Sequence, residues 1–311
     1  MTNISAALVK ELRDKTGAGM MDCKQALIET KADIEAAIDW LRKKGLAKAA
    51  KKAGRVAAEG LIGVAVNKAA GTIVEVNSET DFVARNAQFQ DMVRQITGLA
   101  HQVDGELAKL LAMPYPGKSI TVEEHVREMV ATIGENMTVR RSAMLRAGDG
   151  VVADYIHNKA ADGLGKMGVL VALESKGDQA RLREFGRQIA MHVAAASPLA
   201  VTPEELDTAV IEKERAIYLE QARTSGKPLD IIEKIVEGRL RKEFFQQVVL
   251  LQQVFVLDGK ATVEQAVRAA EKTVGAPIKI TKFVRYALGE GIDKTDDDFA
   301  AGVAAAVRGT R

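Results

Sequence analysis

The chain has 311 residues, with 44 Lys and Arg against 42 Asp and Glu, a net charge of +2. That length suits about two globular domains. A hydrophobic share of 47% argues against disorder, and the near-neutral charge argues against a dedicated polyanion binder. No apolar run approaches the roughly 20 residues of a membrane-spanning helix, and the first residues show neither the basic start nor the apolar core of a secretory leader. The single cysteine, Cys23, excludes an internal disulfide framework and suits a reducing compartment, so a cytoplasmic location is expected.

The first 45 residues predict three short helices. Ile4, Leu8 and Leu12 recur at helical spacing until Thr16-Gly17-Ala18-Gly19 stops the pattern. Met20, Met21, Leu27 and Ile28 give a second apolar stripe. Asp33 is placed to cap a third helix carrying Ile34, Ala37, Ile38 and Leu41, which Gly45 is expected to end. Residues 42–55 then hold seven basic residues and no acid, from Arg42 to Arg55, and predict an Ala/Lys-rich helical linker.

The texture next turns to strand. Leu61–Val66 and Thr72–Val76 are β-branched runs separated by a turn-forming stretch, a hairpin signal. A helix with Phe89, Val93, Ile96 and Ala100 on one face follows, then a loop with Pro114 and Pro116, then a helix over about 121–133. Strands are predicted at 138–147, 151–157 and 167–174, with Gly148-Asp149-Gly150 turning the chain between the first two. A strand-then-helix unit, Thr72–Asn77 leading to Arg94-Gln95-Ile96, is echoed by Gly168–Glu174 leading to Arg187-Gln188-Ile189. Two related α+β halves are therefore expected.

Residues 203–243 are heavily charged, with a break at Ser225-Gly226-Lys227-Pro228. Leu206, Val210 and Ile217 before it, and Ile232, Val236 and Leu240 after it, predict an antiparallel helical hairpin. Beyond it Val248–Leu251, Val254–Leu257 and Ile278–Leu288 predict strands, with a helix near 262–273. Asp296, Asp297 and Asp298 open a last helix at its positive end.

Few motifs suggest covalent chemistry. Gly163, Gly165 and Gly168 match the dinucleotide spacing, but a strand follows where that motif needs a helix. Lys118-Ser119 ends like a phosphate-binding loop, yet Ala112 stands where its first glycine belongs. His101, His125, His157 and His192 form no i, i+3 or i, i+4 pair, so no metal site is expected. Cys23 fits a buried small hydrophobe. An RNA contact through residues 42–55 stands as the alternative, weakened by the lack of interleaved aromatics.

The stretch Glu75–Asn86 lies between a strand and a helix. Ser78-Glu79-Thr80-Asp81 fits a capping box. Phe82 lies one heptad before Phe89, which favours the same core face. The alternative is that Arg85-Asn86 breaks the helix and leaves Phe82 projecting, and composition does not decide between them.

Thr80-Asp81-Phe82-Val83-Ala84-Arg85, following Glu75-Val76-Asn77, resembles the signature of the bacterial elongation factor Ts family. Leu8–Leu27, Gly134–Arg141, Ile189–Ser197, Ser225–Pro228, Val236–Arg239, Thr281–Gly291 and Asp298–Ala301 resemble further segments of that family, in order, with a looser match over 244–260, where Val254 stands in place of an expected proline. The resemblance implies an α+β fold: a UBA-like three-helix domain (1–45), a basic helical linker (46–55), a core N-subdomain (56–140), a core C-subdomain (141–200 and 244–290) with antiparallel sheets, a coiled-coil insertion (201–243) and a C-terminal helical module (291–311). It implies guanine nucleotide exchange on elongation factor Tu, in its GDP-bound and nucleotide-free forms, without covalent chemistry, cofactor, membrane or direct nucleic acid, and leaves room for a homodimer within the complex. Thr80, Asp81, Phe82 and Val83 are then the residues expected to reach the partner's magnesium and phosphate site. Val9, Leu12, Met20, His192 and Phe299 are expected at further partner contacts.

Overall fold

The computed structural model describes residues 4–224 and 228–293. The expected tip at 225–227, the last helix and Phe299 lie outside the described residues.

Three helices open the chain: α1 (Ala6–Thr16), α2 (Met20–Glu29) and α3 (Ile34–Lys52). Gly17, in the left-handed region at φ 67°, closes α1, and the Asp33 carboxylate accepts from the Ala36 N–H at 3.0 Å to start α3. Val9, Leu12, Cys23, Ala26, Leu27 and Ala37 form the bundle's own core. Met20, Met21 and Ile28 are exposed, so the apolar face of α2 runs through Cys23, Ala26 and Leu27 and not through the methionines. Gly45 does not end α3. It sits mid-helix, where a Cβ would come 2.9 Å from that of Ala131, so its missing side chain lets the helix lie close against the core.

The core repeats one plan. Strands β1 (Glu59–Asn67) and β2 (Ala70–Ser78) form the expected hairpin, followed by α4 (Ala87–Ala100), α5 (Leu107–Ala112), α6 (Val122–Ile133) and β3 (Met137–Arg146), which pairs with β2. Then β4 (Gly150–Ala161) and β5 (Leu164–Glu174) form a second hairpin, followed by α7 (Gln179–Ala196). Among the described residues the strands pair antiparallel throughout, and β1 joins β5 at Ile62–Gly165 and Gly63–Leu164. The glycine turn at 148–150 therefore carries the chain between layers: β3 and β4 do not pair with each other.

Inner faces of the two layers meet through Ile62, Val64, Ile73, Val152, Leu170 and Ala172. The outer face of the first layer packs on α4 and α6 through Leu61, Val74 and Val139, and that of the second on α7 through Val169, Val171 and Leu173. Strands covered on both faces bury successive residues, which explains why β1 and β5 carry consecutive apolar residues; β2 is buried throughout too, with Thr72, Glu75, Asn77 and Ser78 among its buried residues.

After α7 comes the helical hairpin: α8 (Thr208–Arg223) and α9 (Leu229–Arg239), with a π-helical stretch at Leu240–Phe244 leading into the short α10 (Phe245–Val248). Ile232, Val236 and Leu240 are buried as expected. On α8 the buried positions are Tyr218 and Ala222, whereas Val210 and Ile217 are exposed. The Arg239 guanidinium lies over the Tyr218 ring at 4.1 Å, which draws that ring and not its neighbour into the seam.

Neither 248–251 nor 254–257 forms a strand. Leu250–Gln252 is a single 3-10 turn, and the extended contacts there are isolated bridges, Ala200 with Val249 and Val254 with Thr262. Helix α11 (Val263–Val274) and β6 (Lys279–Ala287), paired with β5, complete the second half.

Candidate functional site

The segment between β2 and α4 is shaped by polar contacts at one end and apolar burial at the other. The Ser78 hydroxyl donates to the Thr80 carbonyl at 3.0 Å. No capping box forms at 78–81. Instead Asn86 caps α4, its side-chain oxygen accepting from the Gln88 and Phe89 N–H groups at 2.9 and 3.2 Å. Between them Val83–Arg85 makes one 3-10 turn. Val83 and Ala84 enter the core beside Phe89. Val83 thus takes the inward position, and Phe82 is turned out with 73% of its surface exposed. The heptad reading of Phe82 fails because the 3-10 turn and the cap interrupt the helical phase before α4 begins.

Asp81 is half-buried next to Phe82, and its carboxylate lies 3.7 Å from Arg85. A groove of about 410 Å³ runs beside the two, floored by Leu61 and rimmed by Lys159 and Lys166. Thr80 faces the other way. Its N–H and hydroxyl donate to the two carboxylate oxygens of Glu135, at 2.9 and 2.6 Å. The return contact is the Asn136 N–H donating to Glu79, whose carboxylate also pairs with Arg55 at 3.4 Å. Glu135 and Asn136 were not among the expected site residues. They lie in the family-like stretch Gly134–Arg141, but a contact across 55 residues leaves no trace in spacing that would tie them to Thr80.

The other expected contact residues divide by burial. Val9 and Leu12 lie inside the bundle, so their side chains hold it together and offer no surface. Met20 is 60% exposed, with Met21 next to it. His192 is fully buried. Its Nδ1 accepts from the Val256 N–H at 3.3 Å, and its Nε2 donates to the Gln253 side-chain oxygen at 2.9 Å. This pair of partners selects one neutral tautomer, and burial pushes the imidazole below its ordinary pKa. His192 therefore shapes the loop above it, whose Val254, Val256 and Leu257 are exposed.

The basic stretch is largely engaged within the chain. Arg42 pairs with Glu124 at 3.6 Å, Lys44 with Asp22 at 3.2 Å and Arg55 with Glu79, while Lys52 donates to the Gly134 carbonyl. A wide cleft of about 930 Å³ separates the bundle from the core. Three of its ionisable groups cluster: Lys118 Nζ lies 3.0 Å from both His125 Nδ1 and the Glu128 carboxylate, and His125 first, then Lys118, hold the Glu128 carboxyl below its usual pKa despite partial burial. Burial pushes the neighbouring Tyr115 phenol up to about 12, so it stays protonated at neutral pH. Among the described residues no helix is long and apolar enough to cross a membrane.

A family model described as elongation factor TS matches residues 79–290. The elongation factor Ts of Parvibaculum lavamentivorans is 62% identical over 309 residues, covering 99% of this chain and all of the relative. That of Bartonella henselae is 60% identical, again over 99% of this chain and all of the relative. That of Sinorhizobium medicae is 58% identical over 98% and 99%. With the Thr80–Val83 segment and its exposed Phe82 inside the matched region and relatives aligned end to end, the chain belongs to the elongation factor Ts family.

Proposed function

We propose that this chain accelerates release of GDP from elongation factor Tu, by presenting Phe82 as a wedge to the partner's nucleotide-binding domain and Asp81 to the surroundings of its magnesium ion. Family membership implies the exchange activity and the partner. The observation that carries the finer reading is the position of Phe82, a large apolar side chain exposed at the crest of a segment held at both ends.

An exchange factor breaks no covalent bond. It must bind the nucleotide-free partner more tightly than the GDP-bound one, and by linkage GDP then weakens its binding by the same factor. Fully burying a Phe side chain contributes about 1.5–3 kcal/mol. If that burial is reached only when the partner opens, the energy is differential, and ~1.4 kcal/mol of it corresponds to tenfold in the equilibrium. Asp81 brings negative charge to a magnesium site, where an ion held by few protein ligands is open to disturbance. Thr80 and Val83 serve differently: Thr80 is tied to Glu135 and Val83 to the core, so both hold the segment in shape. The exposed residues Met20, Val254, Val256 and Leu257 supply further apolar contact.

The RNA-binding alternative loses ground because four of its basic side chains are paired inside the chain. The deciding experiment is release of a fluorescent GDP analogue from elongation factor Tu, with wild type beside Phe82→Ala. Strong acceleration by wild type, lost in a folded variant, is expected. Equal acceleration by both removes the wedge, and none by wild type removes the exchange reading.

A further inference from the structure

We infer that Glu135 is a positioning residue for exchange, acting on the partner only through Thr80; this rests on the exchange function proposed above. The carboxylate lies in the turn Gly134-Glu135-Asn136, after α6 ends on Gly134 in the left-handed region at φ 91°. It accepts the Thr80 N–H at 2.9 Å and the Thr80 hydroxyl at 2.6 Å, one on each oxygen. Two donors from a single residue on two fixed acceptors set orientation as well as distance, and bonds to a charged acceptor are the stronger kind. The latch is reciprocal, since the Asn136 N–H donates back to Glu79. It also reaches the end of the N-terminal helices: the Asn136 amide donates to the Arg55 carbonyl at 2.7 Å, and Arg55 pairs with Glu79.

Phe82 therefore projects from a span of two residues between a polar latch at Thr80 and an apolar anchor at Val83. Without the Glu135 latch the Thr80 end keeps only the Ser78 hydroxyl on its carbonyl, so Asp81 and Phe82 pivot more freely about Val83, and the ordering that the fold has already accomplished must occur as the bound partner opens around Phe82. Among the described residues Glu135 makes no hydrogen bond or ion pair with Asp81 or Phe82, so its influence on them runs along the backbone from Thr80.

The test measures the rate of fluorescent GDP release from elongation factor Tu against concentration of the full chain, which separates the plateau rate from the half-saturating concentration. For Glu135→Ala the plateau is expected to fall about tenfold, equivalent to ~1.4 kcal/mol, with little change in half-saturation. Glu135→Gln keeps the shape but has one acceptor oxygen for two donors, so a smaller fall is expected. It also decides the matter should the alanine variant fail to fold. In a Phe82→Ala background, Glu135→Ala should lower the plateau no further, because the group it positions is gone.

A wild-type plateau for both Glu135 variants, beside a defective Phe82→Ala, overturns the inference and leaves the exchange reading standing. So does an undiminished Glu135 effect in the Phe82→Ala background, or an effect confined to half-saturation, which a merely structural role would give. Absence of acceleration by wild type overturns both readings together.

Discussion

Tyr115 and Phe255 occupy the same place in the two halves of the core: each donates its backbone N–H at 2.8 Å across a short loop, Tyr115 to the Ile120 carbonyl and Phe255 to that of Ala261. The return bonds match as well, Val122 to Met113 at 2.8 Å and Val263 to Gln253 at 2.9 Å. Helices α6 and α11 then start on capping boxes, Thr121 with Glu124 and Thr262 with Gln265, and end on left-handed Gly134 and Gly275. Strands β3 and β6 each carry a register slip near their start, with Arg140 and Thr281, six residues after Gly134 and Gly275 in turn, as the extra residues. Two chains of events this similar describe one structural unit used twice.

The repeat predicts the effect of a substitution. Pro114 precedes Tyr115, and Val254 precedes Phe255. Met113 (φ −66°, ψ 145°) and Gln253 (φ −65°, ψ 146°) share the backbone that a following proline requires. Val254→Pro should therefore fold normally and gain about 0.4–1 kcal/mol by restricting the unfolded chain. Urea unfolding of the variant checks this, and a loss of stability would show that the two loops differ where they look alike.

Phe82 and Phe89 provide a second, paired expectation. Phe89 is fully buried and Phe82 is exposed. Phe89→Ala should cost about 3–5 kcal/mol, and Phe82→Ala should stay within about 0.5 kcal/mol of wild type. Thermal melts of the two variants side by side separate a core side chain from a presented one.

The strands were legible because both faces of β1, β2 and β5 are covered, which leaves β-branched, largely apolar runs bounded by turn residues. The same criterion misled at 248–257. There the apolar residues lie in tight turns, some packed beneath the arm and some exposed, and a short apolar run cannot reveal which. Met20 and Met21 belong to the predicted apolar stripe of α2 yet are exposed, because long apolar side chains stay exposed wherever a face lacks a neighbour. The signature segment was found through its likeness to a family. Its presentation follows the alternative in which the chain breaks at Arg85-Asn86, with Asn86 as cap and Val83 turned into the core, and depends also on Glu135, whose distant contact local spacing does not rank.

Glu75 marks another long-range dependence. Its carboxylate is fully buried on β2, opposite the register slip that sends Arg140 and Arg141 toward it. It also accepts the Gly289 N–H at 2.8 Å, which fastens the turn after β6 to the first layer. Glu75→Ala removes the counter-charge shared by two partly exposed arginines, of which Arg141 keeps Glu290 at 3.6 Å, so the loss should stay below the roughly 3–5 kcal/mol of breaking a fully buried pair. Denaturant unfolding should show that loss, and amide exchange at Gly289 should quicken out of proportion to the rest of the core.

His192 gives the chain a pH dependence whose sign is fixed by its surroundings. Burial lowers its pKa below the ordinary value, against a smaller opposing effect of the Gln253 hydrogen bond. The unfolded chain takes up a proton at this residue near pH 6.5, at a pH where the folded one still refuses it. The unfolded state then binds more protons, so this contribution to stability is complete above about pH 6.5 and is lost as pH falls toward the folded pKa. Protonation of Nδ1 would turn an acceptor into a donor facing the Val256 N–H, so the loop bearing Val254, Val256 and Leu257 must move when it occurs. His192→Gln should be less stable than wild type at pH 7.5, by about 1–3 kcal/mol for the buried partners left unpaired. The gap should narrow on acidification, because only the wild type carries the titrating ring. Urea midpoints of both proteins at pH 7.5 and 5.5 measure this directly, and a gap that stays constant would mean that the ring is not held neutral by the fold.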